Sequence, residues 1–91
     1  MTILVCDDDR EIVDAIEIYL IQEGFQVEKA FDGEQALEAL QKKSIDLMII
    51  DVMMPKLDGI RATLQARKTS SIPIIMLSAK TEDADKILGL N

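Results

Sequence analysis

The amino-acid sequence predicts an α/β fold built on a parallel sheet with helices on both faces. Short apolar runs rich in β-branched residues alternate along the chain with longer amphipathic segments, which is the pattern of alternating strands and helices. Three of these runs are apolar throughout, as is typical of buried strands in a parallel sheet. Strands that alternate with helices imply right-handed crossovers, so we expect four βα units in succession.

The first half of the chain contains two of these units. The first strand runs from Ile3 to Cys6, and the helix after it ends near Gly24. The apolar stripe of this helix consists of Ile12, Val13, Ile16, Tyr19 and Leu20. Gln26 to Ala30 is less apolar, which predicts a strand at an edge of the sheet. Asp32 can cap a second helix, which buries Ala36, Leu37 and Leu40.

The second half contains the other two units. Leu47 to Ile50 is the strongest strand, and a loop with turn residues leads from it into a helix from about Gly59 to Arg67. Pro73 precedes a fourth strand from Ile74 to Leu77. The last predicted helix begins at Thr81 and carries Ala84, Ile87 and Leu88.

Composition and charge exclude several classes of protein. The 91 residues have room for one small domain, and a hydrophobic fraction of 48% is that of a chain that folds around a core. A formal net charge of −7 repels the phosphate backbone, which argues against binding of DNA or RNA by this chain alone. Cys6 is the single cysteine, and no apolar run is long enough for a membrane span or a signal peptide. We therefore expect a cytoplasmic protein without membrane association.

Acidic and hydroxyl side chains follow three of the predicted strands. Asp7 and Asp8 close the first strand, Asp51 closes the third and Ser78 closes the fourth. In a flavodoxin-like sheet, with order 2-1-3-4 for these strands, their carboxyl ends meet at the crevice where ligands bind. Clustered carboxylates repel one another unless a cation lies between them, and oxygen ligands select a hard ion such as Mg²⁺.

Simpler roles exist for each of these residues taken singly. Aspartate favours turns and helix N-caps, and Asp9 has only that role ahead of the first helix. Ser78 can cap a turn or bond a backbone amide. Cys6 is expected to be a small buried hydrophobic residue whose thiolate is disfavoured by the neighbouring acids.

With these motifs the chain resembles the receiver domain of bacterial two-component response regulators. The resemblance rests on ILVCDDD, DLMIIDVMMPKLDG and PIIMLSAK, in this order and spacing, and covers the whole chain. The later segments are most similar to the subclass whose receiver precedes a winged-helix DNA-binding domain. The resemblance implies a phosphorelay switch rather than a turnover enzyme, with a sensor histidine kinase as partner and DNA bound only through an output domain.

The resemblance also implies roles for individual residues. Asp51 matches the phosphoacceptor, and Asp8 matches the acid that binds Mg²⁺ directly, whereas Asp7 acts through a bound water. Met53 matches the position that contributes a backbone carbonyl to the metal. Ser78 matches the hydroxyl that bonds a phosphoryl oxygen and shifts on activation. The loop that shapes the site contains Pro55, Asp58 and Gly59.

One departure from the family concerns the C-terminal end. The family continues into a fifth strand and helix and carries a phosphoryl-binding lysine there, whereas this sequence stops at Asn91. Residues 1–91 are therefore expected to form a receiver domain that is incomplete at its C-terminus. The open edge of the fourth strand, Ile74 to Leu77, then predicts a homo-oligomer formed through that edge.

Two other functions remain as alternatives. A stand-alone receiver would act by docking to a partner protein, and the residues of this chain do not distinguish it from a DNA-binding regulator. A Mg²⁺-dependent aspartyl phosphohydrolase would also use an aspartate at the end of a central strand. Enzymes of the haloacid dehalogenase type have a second aspartate two residues later, where this chain has Met53.

Overall fold

The computed structural model describes residues 1–52 and 58–77, together with the backbone of residues 87–88. The helices are α1 (Arg10–Gln22), α2 (Gly33–Lys42) and α3 (Gly59–Ala66), and the strands are β1 (Thr2–Cys6), β2 (Gln26–Ala30), β3 (Leu47–Asp51), β4 (Ile74–Leu77) and β5 (Ile87–Leu88). The strand order is β2-β1-β3-β4-β5, and β1 to β4 are parallel. The predicted order 2-1-3-4 is confirmed, and β2 lies at the edge as expected.

Alternate side chains of β1 pack on opposite faces of the sheet. Ile3 and Val5 join one apolar cluster with Val13 and Leu20 of α1. Leu4 and Cys6 join a second cluster on the other face, to which α2 and α3 contribute three alanines. Because β1 is buried on both faces, its sequence lacks the polar alternation of a half-exposed strand. The two clusters fix the orientation of β1 and therefore the direction in which Asp7 leaves the sheet.

The caps of α1 agree with the sequence. Asp9 is the N-cap, and its carboxylate accepts hydrogen bonds from the amides of Glu11 and Ile12 at 3.0 and 3.4 Å. Gly24 has φ +93°, and paired backbone bonds around it form a Schellman motif that ends the helix. The prediction for Tyr19 was wrong, since this side chain is 62% exposed. The buried stripe follows Val13, Ile16 and Leu20, and the rotation per residue places position 19 outside it.

The remaining two helices also begin at aspartates. Asp32 caps α2 by accepting a hydrogen bond from the amide of Gln35 at 2.8 Å. Asp58 caps α3 by accepting one from the backbone amide of Arg61 at 2.8 Å. Ala36 is fully buried, and the other two apolar residues predicted for α2 pack partly buried against the same cluster. Within the described residues, no helix combines the length and apolar character that a membrane span requires.

The end of the chain differs from the prediction. Ile87 and Leu88 form the short strand β5, antiparallel to β4, instead of belonging to a fourth helix. Thr81 and Ala84 lie outside the described residues. β5 pairs with Met76 and Leu77. This part of the β4 edge is therefore paired, whereas the sequence had predicted an open edge. The physical reason is that an edge strand presents unpaired amide and carbonyl groups, which a following segment of the same chain can satisfy.

Candidate acidic metal centre

Two neighbouring strands bring Asp7 and Asp51 side by side. Cys6 of β1 is in register with Ile50 of β3, and each is followed directly by an aspartate. Asp51 is itself in register with Leu77 of β4, and the amide of Val52 donates to the carbonyl of Leu77 at 3.0 Å. The parallel register therefore places Asp51 at the centre of the carboxyl edge of the sheet.

Three carboxylates converge at this edge. Asp7, Asp8 and Asp51 each have an oxygen within 4.8 Å of the oxygens of the other two. Asp7 is 4% exposed and Asp51 is 2% exposed, whereas Asp8 is exposed to solvent. The cluster thus has a buried floor formed by two acids and an open side at Asp8. The predicted convergence of these three residues is confirmed.

The cluster is electrostatically unfavourable for Asp7. Burial is the main cause that raises its pKa from 3.8 to about 6. The amide of Asp9, which donates to Asp7 Oδ1 at 2.9 Å, opposes this rise, while the charges of Asp51 and Asp8 add to it. A bound cation would remove the cause of the repulsion among these groups.

Cys6 lies beneath the acidic cluster. Its side chain is 2% exposed, and its Sγ donates to the carbonyl oxygen of Asp32 at 3.3 Å. Burial raises the pKa of the thiol to about 12, and the charges of Asp32, Asp7 and Asp51 contribute in that order. The prediction of a buried cysteine with a disfavoured thiolate is confirmed.

The start of α3 touches the backbone of Asp51. The amide of Gly59 donates to the carbonyl of Val52 at 3.0 Å. A Cβ atom on Gly59 would overlap the carbonyl oxygen of Asp51 and approach the Val52 Cα to 2.8 Å. The sequence placed Gly59 in a loop that shapes the site but did not predict this contact. The Asp58-Gly59 pair was the only sequence feature that could have indicated it.

Other predicted site residues lie outside the described part of the chain. These are Met53, Pro55 and Ser78. Their roles, the metal-binding carbonyl of Met53 and the phosphoryl contact of Ser78, stay predictions. Asp9 serves as an N-cap, and within residues 1–52 and 58–77 the acidic cluster consists of Asp7, Asp8 and Asp51 without it.

The donors present fit a hard divalent cation. They are oxygen atoms only, and such ligands select Mg²⁺, Mn²⁺ or Ca²⁺ over softer metals. Two ligands of one Mg²⁺ ion are separated by at most about 4.2 Å, since each bond is about 2.1 Å long. The three carboxylate oxygens lie within 4.8 Å of one another, a bound somewhat larger than this limit, so side-chain rotation or a bridging water would be needed for all three acids to hold one ion.

Comparison with known proteins points to one family. A family model described as the response regulator receiver domain matches residues 3–91. The regulatory protein VanRc of Enterococcus gallinarum is 46% identical over 89 residues, and the transcriptional regulatory protein CpxR of Klebsiella pneumoniae is 49% identical over 88 residues. These matches cover 98% and 97% of this chain but 38% of each relative. The chain therefore spans less than two-fifths of the length of these relatives.

Solved structures show the same architecture. The receiver domain of a Francisella response regulator has a TM-score of 0.82 and 37% identity, covering 93% of this chain and 71% of that one. The response regulator TrrA of Thermotoga maritima, solved in complex with Mg²⁺ and BeF, has a TM-score of 0.82 and 31% identity. That match covers 93% of this chain and 75% of TrrA.

Proposed function

Because this chain belongs to the response regulator receiver domain family, which acts in phosphorelay signalling, we propose that Asp51 is its phosphoacceptor. The observation that carries the proposal is the placement of Asp51. Its carboxylate is buried at the end of a central strand and has two further carboxylates within 4.8 Å. The other two acids are then free to hold a cation, while Asp51 contributes both to the metal site and to the chemistry.

The proposed metal is Mg²⁺, held by Asp8, by Asp51, and by Asp7 through water. The TrrA relative was solved with Mg²⁺ and BeF, which supports the choice. When bound, the ion supplies positive charge for the phosphoryl oxygens. The carbonyl of Met53 and the hydroxyl of Ser78 complete the proposed set, on the strength of the family resemblance alone.

The chemistry assigned to Asp51 is an in-line displacement at phosphorus. A carboxylate oxygen of Asp51 forms the new bond to phosphorus as the bond from phosphorus to the histidine nitrogen of the donor breaks. The imidazole leaves as the free base with a proton from solvent. Burial of Asp51 and its fixed backbone hold the nucleophile in position, which is the main contribution a protein makes to this loose transition state.

The acyl phosphate on Asp51 is removed by hydrolysis. Water attacks the phosphorus, the bond to Asp51 breaks, and inorganic phosphate leaves the regenerated carboxylate. Each cycle of phosphorylation and hydrolysis removes the phosphoryl group from the protein itself and converts no separate substrate. We therefore place the protein among self-dephosphorylating switches rather than turnover enzymes.

The proposed partners follow from the same chemistry. A sensor histidine kinase would supply the phosphohistidine, and an output domain would read the state of the receiver. The relatives VanRc and CpxR are named as a regulatory and a transcriptional regulatory protein. This supports a transcriptional output for a protein that contains this receiver domain. A stand-alone receiver that docks to a partner protein is the second candidate. Self-association through the β4 edge stays a proposal.

Intact-mass spectrometry after incubation with a small phosphodonor and Mg²⁺ tests this function. We expect one phosphoryl adduct that requires Mg²⁺ and is absent from Asp51→Asn. Asp9→Asn is the matched control, because asparagine caps a helix as well as aspartate does, and the contact of Asp9 with Asp7 is made by the backbone amide, which the substitution keeps. An adduct that persists in Asp51→Asn would overturn the assignment of the phosphoacceptor.

A further inference from the structure

The loop that carries two of the metal-binding acids is attached on one side to a segment formed by the last residue of β2 and the residues that follow it. We call residues 7–9 the metal loop. Three contacts join it and its flanking residues to that segment: the Asp7 amide donates to the Ala30 carbonyl at 3.2 Å, the Cys6 thiol donates to the Asp32 carbonyl at 3.3 Å, and the Arg10 guanidinium lies 4.0 Å from the centroid of the Phe31 ring. The outermost of these is the stack of Arg10 on Phe31.

Phe31 is a fixed platform for this stack. Its amide donates to Gln35 Oε1 at 2.9 Å, and the amide of Gln35 donates to Asp32 Oδ1 at 2.8 Å. These two bonds together fix the start of α2, in a variant of the capping box in which the Gln35 side chain accepts from the residue before the N-cap. The ring is half-buried and packs against the cluster that contains Val5. The position of Phe31 is therefore set by the fold and not by Arg10.

Helix stability does not explain a cation at position 10. Arg10 is the first residue of α1, where a positive charge opposes the helix dipole. Within residues 1–52 and 58–77, its guanidinium makes no ion pair with a carboxylate. The guanidinium lies over the face of the Phe31 ring, and arginine is well suited to such a contact.

We propose that Arg10 and Phe31 are positioning residues that hold the metal loop against Asp51 before the cation binds. The inference rests on the proposed metal site. Three like charges within 4.8 Å push the loop away from β3 when no cation is present. Arg10 follows the loop directly, so its stack on Phe31 resists that movement. A loop already in position binds Mg²⁺ more tightly, because less ordering accompanies binding.

The test is a Mg²⁺ titration followed by amide chemical shifts in two-dimensional NMR spectra. We expect Phe31→Leu, which keeps the Arg10 charge, to raise the Mg²⁺ dissociation constant by about two- to fivefold, the range that one exposed cation–π contact supplies. Phe31→Tyr keeps an aromatic face and should restore wild-type affinity. Lys29→Met is the matched control. Lys29 also joins α1 to β2, through Glu17 at 3.1 Å and Asp14 at 3.6 Å, but away from the metal loop, so its loss should leave Mg²⁺ affinity unchanged.

A second variant covers the possibility that Phe31→Leu does not fold. Arg10→Met removes the stack together with a charge that repels Mg²⁺, and titration at high salt screens that repulsion. We expect weaker binding, whereas unchanged or tighter binding would refute the positioning role. Equal affinity of folded Phe31→Leu and wild type would refute it too. Failure of the wild type itself to bind Mg²⁺ would instead refute the proposed metal site.

Discussion

Gly59 and Asp51 fit together only because Gly59 has no side chain. A Cβ atom there would overlap the carbonyl oxygen of Asp51 and come within 2.8 Å of its carbonyl carbon. The contact ties the first turn of α3 to the backbone of the proposed phosphoacceptor. Movement at Asp51 and movement at the start of α3 are therefore mechanically coupled.

Gly59→Ala should disturb both stability and chemistry. The added methyl must push α3 away from β3, and overpacking of this kind costs about 1–3 kcal/mol in the free energy of unfolding. We expect that loss in urea denaturation together with slower phosphorylation by a small phosphodonor. Gly24→Ala is the control, since φ +93° makes alanine strained there while no atom lies near its Cβ. It should lower stability and leave the phosphorylation rate unchanged, and equal rates in all three proteins would contradict the coupling.

The stability of the metal-free protein should depend on the charge of Asp7. Its folded pKa of about 6 lies above its ordinary value of 3.8, so the folded state binds the proton more tightly than the unfolded state. The contribution of Asp7 to the free energy of unfolding is therefore most favourable below pH 3.8, and it falls as the pH rises from about 4 to about 6.

Asp7→Asn removes this dependence and provides the measurement. We expect the variant to match the wild type near pH 4 and to exceed it by about 1–3 kcal/mol above pH 6, in urea unfolding with a chelator present. Asp9→Asn should show no such gain. A difference between Asp7→Asn and wild type that is independent of pH would argue against the raised pKa of Asp7.

Mg²⁺ should stabilise the folded protein through Asp8. At a concentration ten times its dissociation constant, a ligand adds about 1.4 kcal/mol to the free energy of unfolding. We expect Asp8→Asn to lose most of this gain, because its carboxylate is the exposed ligand of the cluster. Asp9→Asn should retain the gain. Thermal unfolding with and without Mg²⁺ measures it, and an undiminished shift in Asp8→Asn would remove Asp8 from the metal site.

Cys6 should be unreactive in the folded protein. Burial and the surrounding carboxylates raise its pKa to about 12, and the reacting species is the thiolate. We expect a thiol reagent at neutral pH to modify it only as fast as the chain unfolds, so the labelling rate should rise with urea. The protein has one cysteine, so the modified fraction reports on Cys6 directly. Rapid labelling of the native state would show that the first strand opens locally.

The local features were predictable because each depends on a short-range pattern. The bounds of β2 and β4 match the predicted ranges, β4 as an apolar run and β2 as a less apolar edge strand, and the predicted caps at Asp9 and Asp32 are present. The meeting of Asp7 with Asp51 followed from the parallel order alone, since neighbouring parallel strands end at the same edge.

The features that sequence reasoning missed depend on tertiary contact. Tyr19 is exposed and Leu20 is buried, and the exact centre of the buried stripe of α1, which separates these two apolar neighbours, is set by how the helix packs on the sheet. The stack of Arg10 on Phe31 joins the first residue of α1 to the residue that follows β2, which are distant in the sequence. The pairing of β5 with β4 reflects competition between a weak helix and an open sheet edge, which local propensity does not resolve.

The central claim, that Asp51 receives a phosphoryl group beside a cation, can be tested by fluorine NMR with beryllofluoride, a tetrahedral phosphoryl analogue that the TrrA complex contains together with Mg²⁺. We predict protein-bound fluorine resonances that require Mg²⁺ and disappear in Asp51→Asn, while Asp9→Asn retains them. Bound resonances that persist in Asp51→Asn, or that form equally well without Mg²⁺, would contradict the account.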